Sequence, residues 1–353
     1  LKRDRAIEKI CAKLKVDSFV FTDALLNDPD DIKTKSAAPY KIFTPFFKAC
    51  RSKPIAKPTR CSNSNFFTHA IKGSSARLTA SINKNKSIWV HGGTAHAKKL
   101  LSKIKKLKQY IKTRDFPALM TSNLSAHNKF GTISIRAAYH AIIKALGNSS
   151  GLIPQLYWRD FFYHVAYHSP FIFGKPYHKK YEKLKWNKSK KDFEKWCNGN
   201  TGFPIVDAGM RQLNTTGYMH NRCRMIVSSF LTKDLHINWL WGERYFAQKL
   251  VDYDPCVNNG SWQWAASTGC DAQPYFRIFN PWLHSKRFDS DGVYIKKYVK
   301  ELKDIEAKKL HAPIECHSTY PAPIIEHAVQ KEKALKKGKT EEEYEAEKKK
   351  SEK

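Results

Sequence analysis

The sequence predicts a mainly α-helical protein preceded by a short remnant of α/β character. Three observations carry that prediction. Apolar residues recur at helical spacing in long stretches from His96 onward. The separators GNSSG (147–151), NGNTGFP (198–204) and TTGY (215–218) are turn chemistry built on Gly, Asn, Ser and Pro. Only SFVF at 18–21 reads as strand, and one short strand cannot close a sheet.

In chain order, RAIEKICAKLK (5–15) reads as a helix, followed by the SFVF strand and a polar loop that reaches PYKIFTPFFKAC (39–50). Residues 1–50 are therefore the tail of an alternating α/β pattern. Residues 51–98, rich in Lys, Ser, Asn, Pro and Gly with weak periodicity, read as a linker running over the surface. The helical domain covers 99–328. Its helices are AHAKKLLSKIKKLKQYI (95–111), ISIRAAYHAIIKAL (133–146), LIPQLYWRDFFYHVAYH (152–168), FPIVDAGMRQLNTTGYM (203–219) and NRCRMIVSSFLTKDL (221–235). Residues 329–353 are charge-dense and nearly free of core-forming side chains, so they read as a solvated helix or disordered tail.

The balance of 63 basic against 32 acidic residues, a net charge of +31, creates a field that attracts polyanions, nucleic acid first among them. The competing explanation is solubility, since the excess is diffuse and mostly lysine. Eight cysteines without C-x-x-C pairs, and no apolar run of membrane-spanning or signal length, point to a reduced, soluble intracellular protein. His91/His96 and His164/His168 form close pairs, the second at the i, i+4 spacing of a helical zinc pair. No third ligand accompanies them, so no metal is expected. Neither a Walker loop nor G-x-G-x-x-G is present.

The segment most suggestive of a site is VDYDPCVNNGSWQWAASTGCDAQPYFRIFN (251–280). Buried polar groups need partners, so a purely structural helix rarely concentrates so many amides, indoles and carboxylates. Asp252 and Asp254 precede Pro255, and Asn258-Asn259-Gly260-Ser261 can hold a polar heterocycle. Trp262 and Trp264 diverge by about 160° if helical and share a face if extended. Both could also be plain core residues.

RDFPALMTSNLS (114–125, with its leading Arg114), QLYWRDFFYH (155–164), TGFPIVDAGMRQLNTTGYMHNRCRMIVSSFLTKDL (201–235) and RIFNP (277–281) together with 251–280 resemble the photolyase/cryptochrome family, nearest to class I cyclobutane pyrimidine dimer photolyases. The resemblance covers roughly 100–325, with weaker likeness over 1–50. It implies a helical FAD-binding domain and a light-driven lyase in which the fully reduced anionic flavin lends an electron to a pyrimidine dimer in DNA and recovers it. It further implies that Tyr110 and the turn Thr121-Ser122-Asn123-Leu124-Ser125 contact phosphate and ribityl groups, with Arg159 and Tyr253 as further cofactor contacts. Arg224 pairs with Asp252, Asp254 contacts the cofactor, and Asn258 faces flavin N5. Trp262, Trp239 and Trp186 match a three-tryptophan electron chain running to the surface.

On the lesion side, Trp158 and Trp264 match indoles flanking a flipped dimer, with Asn221, Arg222 and Met225 as cavity contacts and Arg114, Arg222 and Arg277 as cations at its mouth. Gln155 replaces a common glutamate, His284 a common glutamine and Leu152 a tryptophan found in some relatives. Asn221 and Met225 stand where the (6-4) enzymes carry a histidine pair, which favours the cyclobutane dimer. Beginning at Leu1, the chain is expected to lack most of the antenna domain, to bind no antenna chromophore and to act as a monomer, with a separate polypeptide as one source of that domain. A cryptochrome-like photoreceptor and an inactive, DNA-binding truncated remnant are the competing readings.

Overall fold

The computed structural model describes residues 2–19, 23–59, 85–274, 277–314 and 319–337. The helices relevant to the site are α1 (Lys2–Leu14), α2 (Phe43–Arg51), α3 (Thr94–Ser102), α4 (Tyr110–Thr113), α5 (Ser125–Lys129), α6 (Ile135–Leu146), α7 (Ile153–His168), α8 (Lys190–Asn198), α9 (Pro204–Thr216), α10 (Asn221–Ser229), α11 (Trp239–Lys249), α12 (Pro255–Ala266), α13 (Pro281–Phe288), α14 (Val293–Tyr298) and α15 (His327–Lys337). A π-helical turn, Phe230–Asp234, continues α10. Among the described residues, β pairing is confined to the isolated bridges Lys33↔Pro39 and Asn187↔Ile237. No helix among them is long and apolar enough to cross a membrane.

Local chemistry explains the boundaries. Ser134 caps α6 through the Arg136 N–H, and α9 begins with Pro204 at its first position and stops at Gly217, which takes a left-handed φ of 66°. Two expectations fail. Ser18 and Phe19 are not in a strand, because an isolated extended segment has no neighbour to satisfy its N–H and C=O groups; Val20 and Phe21 lie outside the described residues. The helix expected over 95–111 divides into α3, a 3-10 turn at Ile104–Leu107 and α4. Ile104 and Leu107, both buried, are three residues apart, and a 3-10 turn aims residues at that spacing in one direction.

Two apolar clusters flank the site. One joins Phe43, Phe46 and Cys50 of α2 to Ile135, Tyr139 and Ile142 of α6 and to Tyr157, Phe161 and Phe162 of α7. The other joins α9, α10, the π turn, α11 and α14 around Trp196, Trp239 and Trp262. Helix α12 runs between them, with Trp262 in the second cluster and Cys256 and Val257 against the first.

Residues 23–51 share this core: the Leu26 N–H donates to buried Asp160 (2.7 Å), Arg159 donates to the Ala24 carbonyl (2.7 Å) and the Phe43 N–H donates to Asp271 (2.9 Å). The segment 85–90, within the stretch read as a linker, is likewise fastened to the helical body. The Trp89 N–H donates to the Thr216 carbonyl (3.1 Å), its indole N–H to Asn123 Oδ1 (3.1 Å), and its ring stacks on Tyr218.

Candidate cofactor and lesion site

The acidic turn before α12 is built around one ion pair. Arg224, in the first turn of α10, donates through Nη2 to both oxygens of Asp252 (3.1 and 2.9 Å) and through Nε to the Met219 carbonyl (2.8 Å). The Asp252 side chain is 2% exposed and Arg224 keeps 25%. Asp254 is the N-cap of α12, its Oδ1 accepting from the Cys256 and Val257 N–H groups (3.0 and 3.2 Å). Its Oδ2 accepts from the Tyr163 hydroxyl and lies 3.6 Å from Lys129. Burial, then the Asp254 charge, pushes the Tyr163 phenol upward, so it stays a donor.

The neighbouring asparagines divide by role. Asn259 Nδ2 donates to the Ile172 carbonyl (3.2 Å), as does Gln263, which also accepts from the Tyr177 N–H (2.8 Å); these two amides anchor the 172–177 loop. Asn258 is different. Its Nδ2 donates to both the backbone carbonyl (3.0 Å) and the carboxylate (3.1 Å) of Glu243 on α11. Both amide hydrogens are thereby used, leaving the Asn258 carbonyl as the end open to a ligand. Burial raises the Glu243 pKa, and the Asn258 hydrogen bond opposes that rise.

Because α12 is helical, its two tryptophans diverge. Trp262 is 2% exposed and packs edge-to-face with Phe246 (5.0 Å) and Trp196 (6.0 Å), while Trp264 is half-buried on another side. Gly242 makes the approach of α11 possible: a Cβ there would lie 2.1 Å from the Trp262 ring. Trp239 sits one turn earlier on the same face of α11 and is buried in the same cluster. Trp186 is half-buried against that cluster, and the adjacent Asn187 is bonded to the His236 and Leu235 carbonyls (2.7 and 3.2 Å). Trp262 and Trp239 are thus buried in one apolar cluster, and Trp186 packs against it from a partly exposed position.

Across from α12, the Asn123 backbone takes a left-handed φ of 51°, and Leu124, buried, occupies the N-cap of α5 without a side-chain cap. Thr121 Oγ1 reaches Asn123 Oδ1 (3.5 Å), whereas the Ser122 and Ser125 hydroxyls bond no described residue. His127 Nε2 and Asn128 Oδ1 are buried without partners on α5. Tyr110 is half-buried, its phenol pushed up to about 12 by burial, against the segment carrying Gly151, where a Cβ would meet Ile111 at 2.4 Å. Arg159 lies over the Tyr163 ring (4.9 Å) and against Asp160 (3.2 Å), so it is already engaged by protein groups. Tyr253 is half-buried against the Trp262 cluster.

Among the residues expected to meet a lesion, Trp158 is half-buried with Phe43 stacked on one face (3.7 Å, 8°). Gln155 Nε2 donates to the Gly151 carbonyl (3.3 Å), leaving its Oε1 open, and Asn221 reaches Met225 Sδ (3.7 Å). Asp115 gathers the cations: Arg222 is 2.7 Å from it and Arg114 3.9 Å. Arg222 also lies over Phe288 (4.4 Å), next to His284, which is held near pKa 4 by burial and then by Arg222. Arg277 is exposed and joins none of these contacts, and Leu152 is fully buried in the first apolar cluster. Two cavities lie elsewhere, one of about 510 Å³ lined by Leu26, Lys53 and Arg136 and one of about 280 Å³ lined by Phe203, Trp282 and His327. Among the described residues, no three His, Cys, Asp or Glu groups are placed to hold a metal ion; His164 and His168 pack ring against ring (4.6 Å).

Sequence reasoning missed Asp115, Lys129, Tyr163 and Glu243. Tyr163, four residues after Arg159 on one helix, and Asp115, beside Arg114, carried readable local signals. Glu243, fifteen residues before Asn258, carried none.

The family described as "FAD binding domain of DNA photolyase" matches residues 152–340, and that described as "DNA photolyase" matches 1–63. A deoxyribodipyrimidine photo-lyase of Alkalihalophilus pseudofirmus is 41% identical over 357 residues, covering 94% of this chain and 74% of the relative. The crystal structure of a bacterial class III photolyase from Agrobacterium tumefaciens superposes with a TM-score of 0.88 at 36% identity, covering 95% of this chain and 76% of that one. An archaeal photolyase from Sulfolobus tokodaii, solved with two FAD molecules, gives 0.85 at 37% identity, with 95% and 75% covered. With matching sequence and matching fold, the chain belongs to the DNA photolyase family.

Proposed function

We propose that this protein is a light-driven DNA repair lyase that reverses pyrimidine dimers using FAD held between α5, α7, α10 and α12. The observation that carries the reading is the division of α12 into three faces. Asn258 gives its amide hydrogens to Glu243 and so keeps its carbonyl for a ligand, Trp262 is sealed into the core, and Trp264 stands half-buried on another side, the one assigned to the lesion.

The residues present fit FAD. The uncapped start of α5, the unbonded hydroxyls of Ser122 and Ser125, the orphaned His127 Nε2 and Asn128 Oδ1, and Lys129 together suit a diphosphate and its sugar chain. Thr121, Tyr110, Tyr253 and Arg159 are assigned as further cofactor contacts on the resemblance. Asp252, held by Arg224, and the Asn258 carbonyl supply the acceptors that a flavin edge needs. When bound as its fully reduced anion, FAD supplies light absorption and a reversibly donated electron.

The protein's share of the work is placement. Trp158, braced by Phe43, and Trp264 offer flat surfaces that compensate an extruded base for lost stacking by about 1–3 kcal/mol per base. The open Oε1 of Gln155 accepts from a base N–H, and Asn221 and Met225 bound the cavity. Arg114, Arg222 and His284, grouped around Asp115 and Phe288, are assigned to the phosphate side of the mouth, with Arg277 a further exposed cation. There Asp115 neutralises part of the charge and fixes the Arg222 guanidinium. Trp262, Trp239 and Trp186 provide an oxidisable route between the cofactor and solvent.

The test is a dimer-containing oligonucleotide mixed with flavin-loaded, reduced protein. Light-dependent loss of dimers supports the reading. Flavin binding without repair refutes it.

A further inference from the structure

Phe43 and Trp158 lie face to face more closely than two free rings settle. Their centroids are 3.7 Å apart with planes 8° from parallel, whereas aromatic pairs left to themselves prefer an offset or edge-on arrangement at about 4.5–7 Å. Neighbouring groups therefore hold them. Phe161, fully buried, stands edge-on to both rings, at 5.8 Å and 78° to Phe43 and at 5.7 Å and 85° to Trp158. The backbone of Phe43 is held from another quarter. Ile42, the N-cap of α2, supplies no side-chain cap, and the first turn of α2 carries no acid of its own. That role falls to Asp271, 228 residues away, whose Oδ2 accepts from the otherwise orphaned Phe43 N–H at 2.9 Å. One residue earlier, Cys270 Sγ donates to the Lys41 carbonyl at 3.0 Å. Both residues belong to the loop that follows α12, the helix that carries Trp264. Asp271 itself takes a left-handed φ of 50°, a conformation that Asp and Asn tolerate better than most side chains.

We propose that Asp271 is a positioning residue for lesion binding. By accepting the Phe43 N–H it sets Phe43 flat against one face of Trp158, leaving only the opposite face of that indole for an extruded base. The proposal rests on the reading of Trp158 and Trp264 as the two indoles that meet the lesion. On that reading one loop serves both, since it leaves α12 just after Trp264 and fastens the ring that braces Trp158. A wall that is already fixed spares the cost of immobilising the indole when the base arrives, so more of the stacking appears as affinity. The competing explanation is that Asp271 only caps α2 and stabilises the core. That role predicts a general loss of stability and of flavin, with no selective effect on damaged DNA.

The experiment uses flavin-loaded protein labelled with 5-fluorotryptophan, the Trp158 fluorine signal being assigned by its loss in Trp158→Phe. Asp271→Gly removes the acceptor and takes the left-handed φ without steric cost, while Asp271→Asn keeps an oxygen acceptor in the same conformation. The Trp158 signal should shift in Asp271→Gly and in Phe43→Leu, which removes the bracing ring, and should keep its wild-type position in Asp271→Asn. Binding of an oligonucleotide carrying one thymine dimer should weaken about fivefold or more in Asp271→Gly and Phe43→Leu and return to within about twofold in Asp271→Asn. Flavin content and binding of undamaged duplex should stay unchanged in all three. An unmoved Trp158 signal in Asp271→Gly overturns the inference, as does loss of flavin and of undamaged-DNA binding in step with dimer binding. Dimer affinity that survives Asp271→Gly but is lost in Trp158→Ala overturns the positioning role and leaves the lesion reading standing. Dimer affinity unchanged in Trp158→Ala refutes the lesion reading itself, and the inference with it. Should Asp271→Gly fail to fold, Asp271→Glu, whose longer stem displaces the carboxylate, takes its place: the same shift and selective loss support the inference, and wild-type behaviour overturns it.

Discussion

Replacing Arg224 by methionine should destabilise the fold and empty the cofactor site together. The substitution keeps the length of the side chain but removes its charge, stranding an Asp252 carboxylate whose side chain is 2% exposed and whose two oxygens accept from Arg224 at 3.1 and 2.9 Å. Breaking a buried pair by deleting one partner costs about 3–5 kcal/mol. Because Arg224 keeps 25% exposure, water reaches part of the pair and the expectation is the lower end, about 3 kcal/mol, inclusive of the bond to the Met219 carbonyl. Against a total stability of about 5–15 kcal/mol, that is a large fraction. Urea unfolding with matched slopes reads the loss directly, and flavin absorbance after desalting reads the site. The double variant Arg224→Met/Asp252→Leu should regain much of the stability without regaining flavin, since the stranded charge is gone but the acceptor is gone too. A loss below about 1 kcal/mol in Arg224→Met, or additive single losses in the double-variant cycle, would refute the reasoning.

Gly242→Ala places a Cβ 2.1 Å from the Trp262 ring and 2.6 Å from Leu231, so unfolding measurements should show a loss of about 1–3 kcal/mol, with Trp262 fluorescence displaced. Glu243→Leu removes one of the two acceptors of the Asn258 amide and leaves the backbone carbonyl, so the amide is held less firmly, which should shift the reduction potential of bound flavin while leaving flavin stoichiometry unchanged; Glu243→Gln, which retains a side-chain acceptor, should restore it. Trp264→Ala should weaken binding of dimer-containing DNA by about 1–3 kcal/mol and leave flavin content intact, checked by parallel titrations. His164 is 1% exposed with neither ring nitrogen bonded, and burial holds it near pKa 4. The unfolded chain therefore binds a proton that the folded chain refuses, so this contribution to stability is present above the ordinary histidine pKa and is lost as pH falls from about 6.5 towards 4. His164→Phe should flatten that acid limb in thermal melts at pH values across the window.

Much of the fold was legible because long amphipathic segments announce themselves: α6, α7, α9 and α10 fall where apolar spacing and capping residues put them. The failures share one cause. Whether SFVF pairs, or whether 95–111 stays one helix, depends on neighbours that local sequence does not specify. The same holds at the site. The Arg224–Asp252 pair and the divergence of Trp262 from Trp264 follow from motif and period, and both are present. The split between Asn258 and Asn259 does not follow, since it is decided by Glu243 on one side and the Ile172 carbonyl on the other, each far away in sequence. Asp254 is also more occupied than its motif suggests, capping α12 while holding Tyr163.

The central claim is that α7, α10 and α12 bring a light-absorbing flavin and a damaged base together. Its most direct test is to illuminate flavin-loaded, chemically reduced protein with near-UV or blue light in the presence of an oligonucleotide carrying one thymine dimer, and to count intact dimers against a dark control. The account predicts that dimers disappear only in the light, at substoichiometric protein. Flavin retained at full stoichiometry with dimers persisting as in the dark would contradict it.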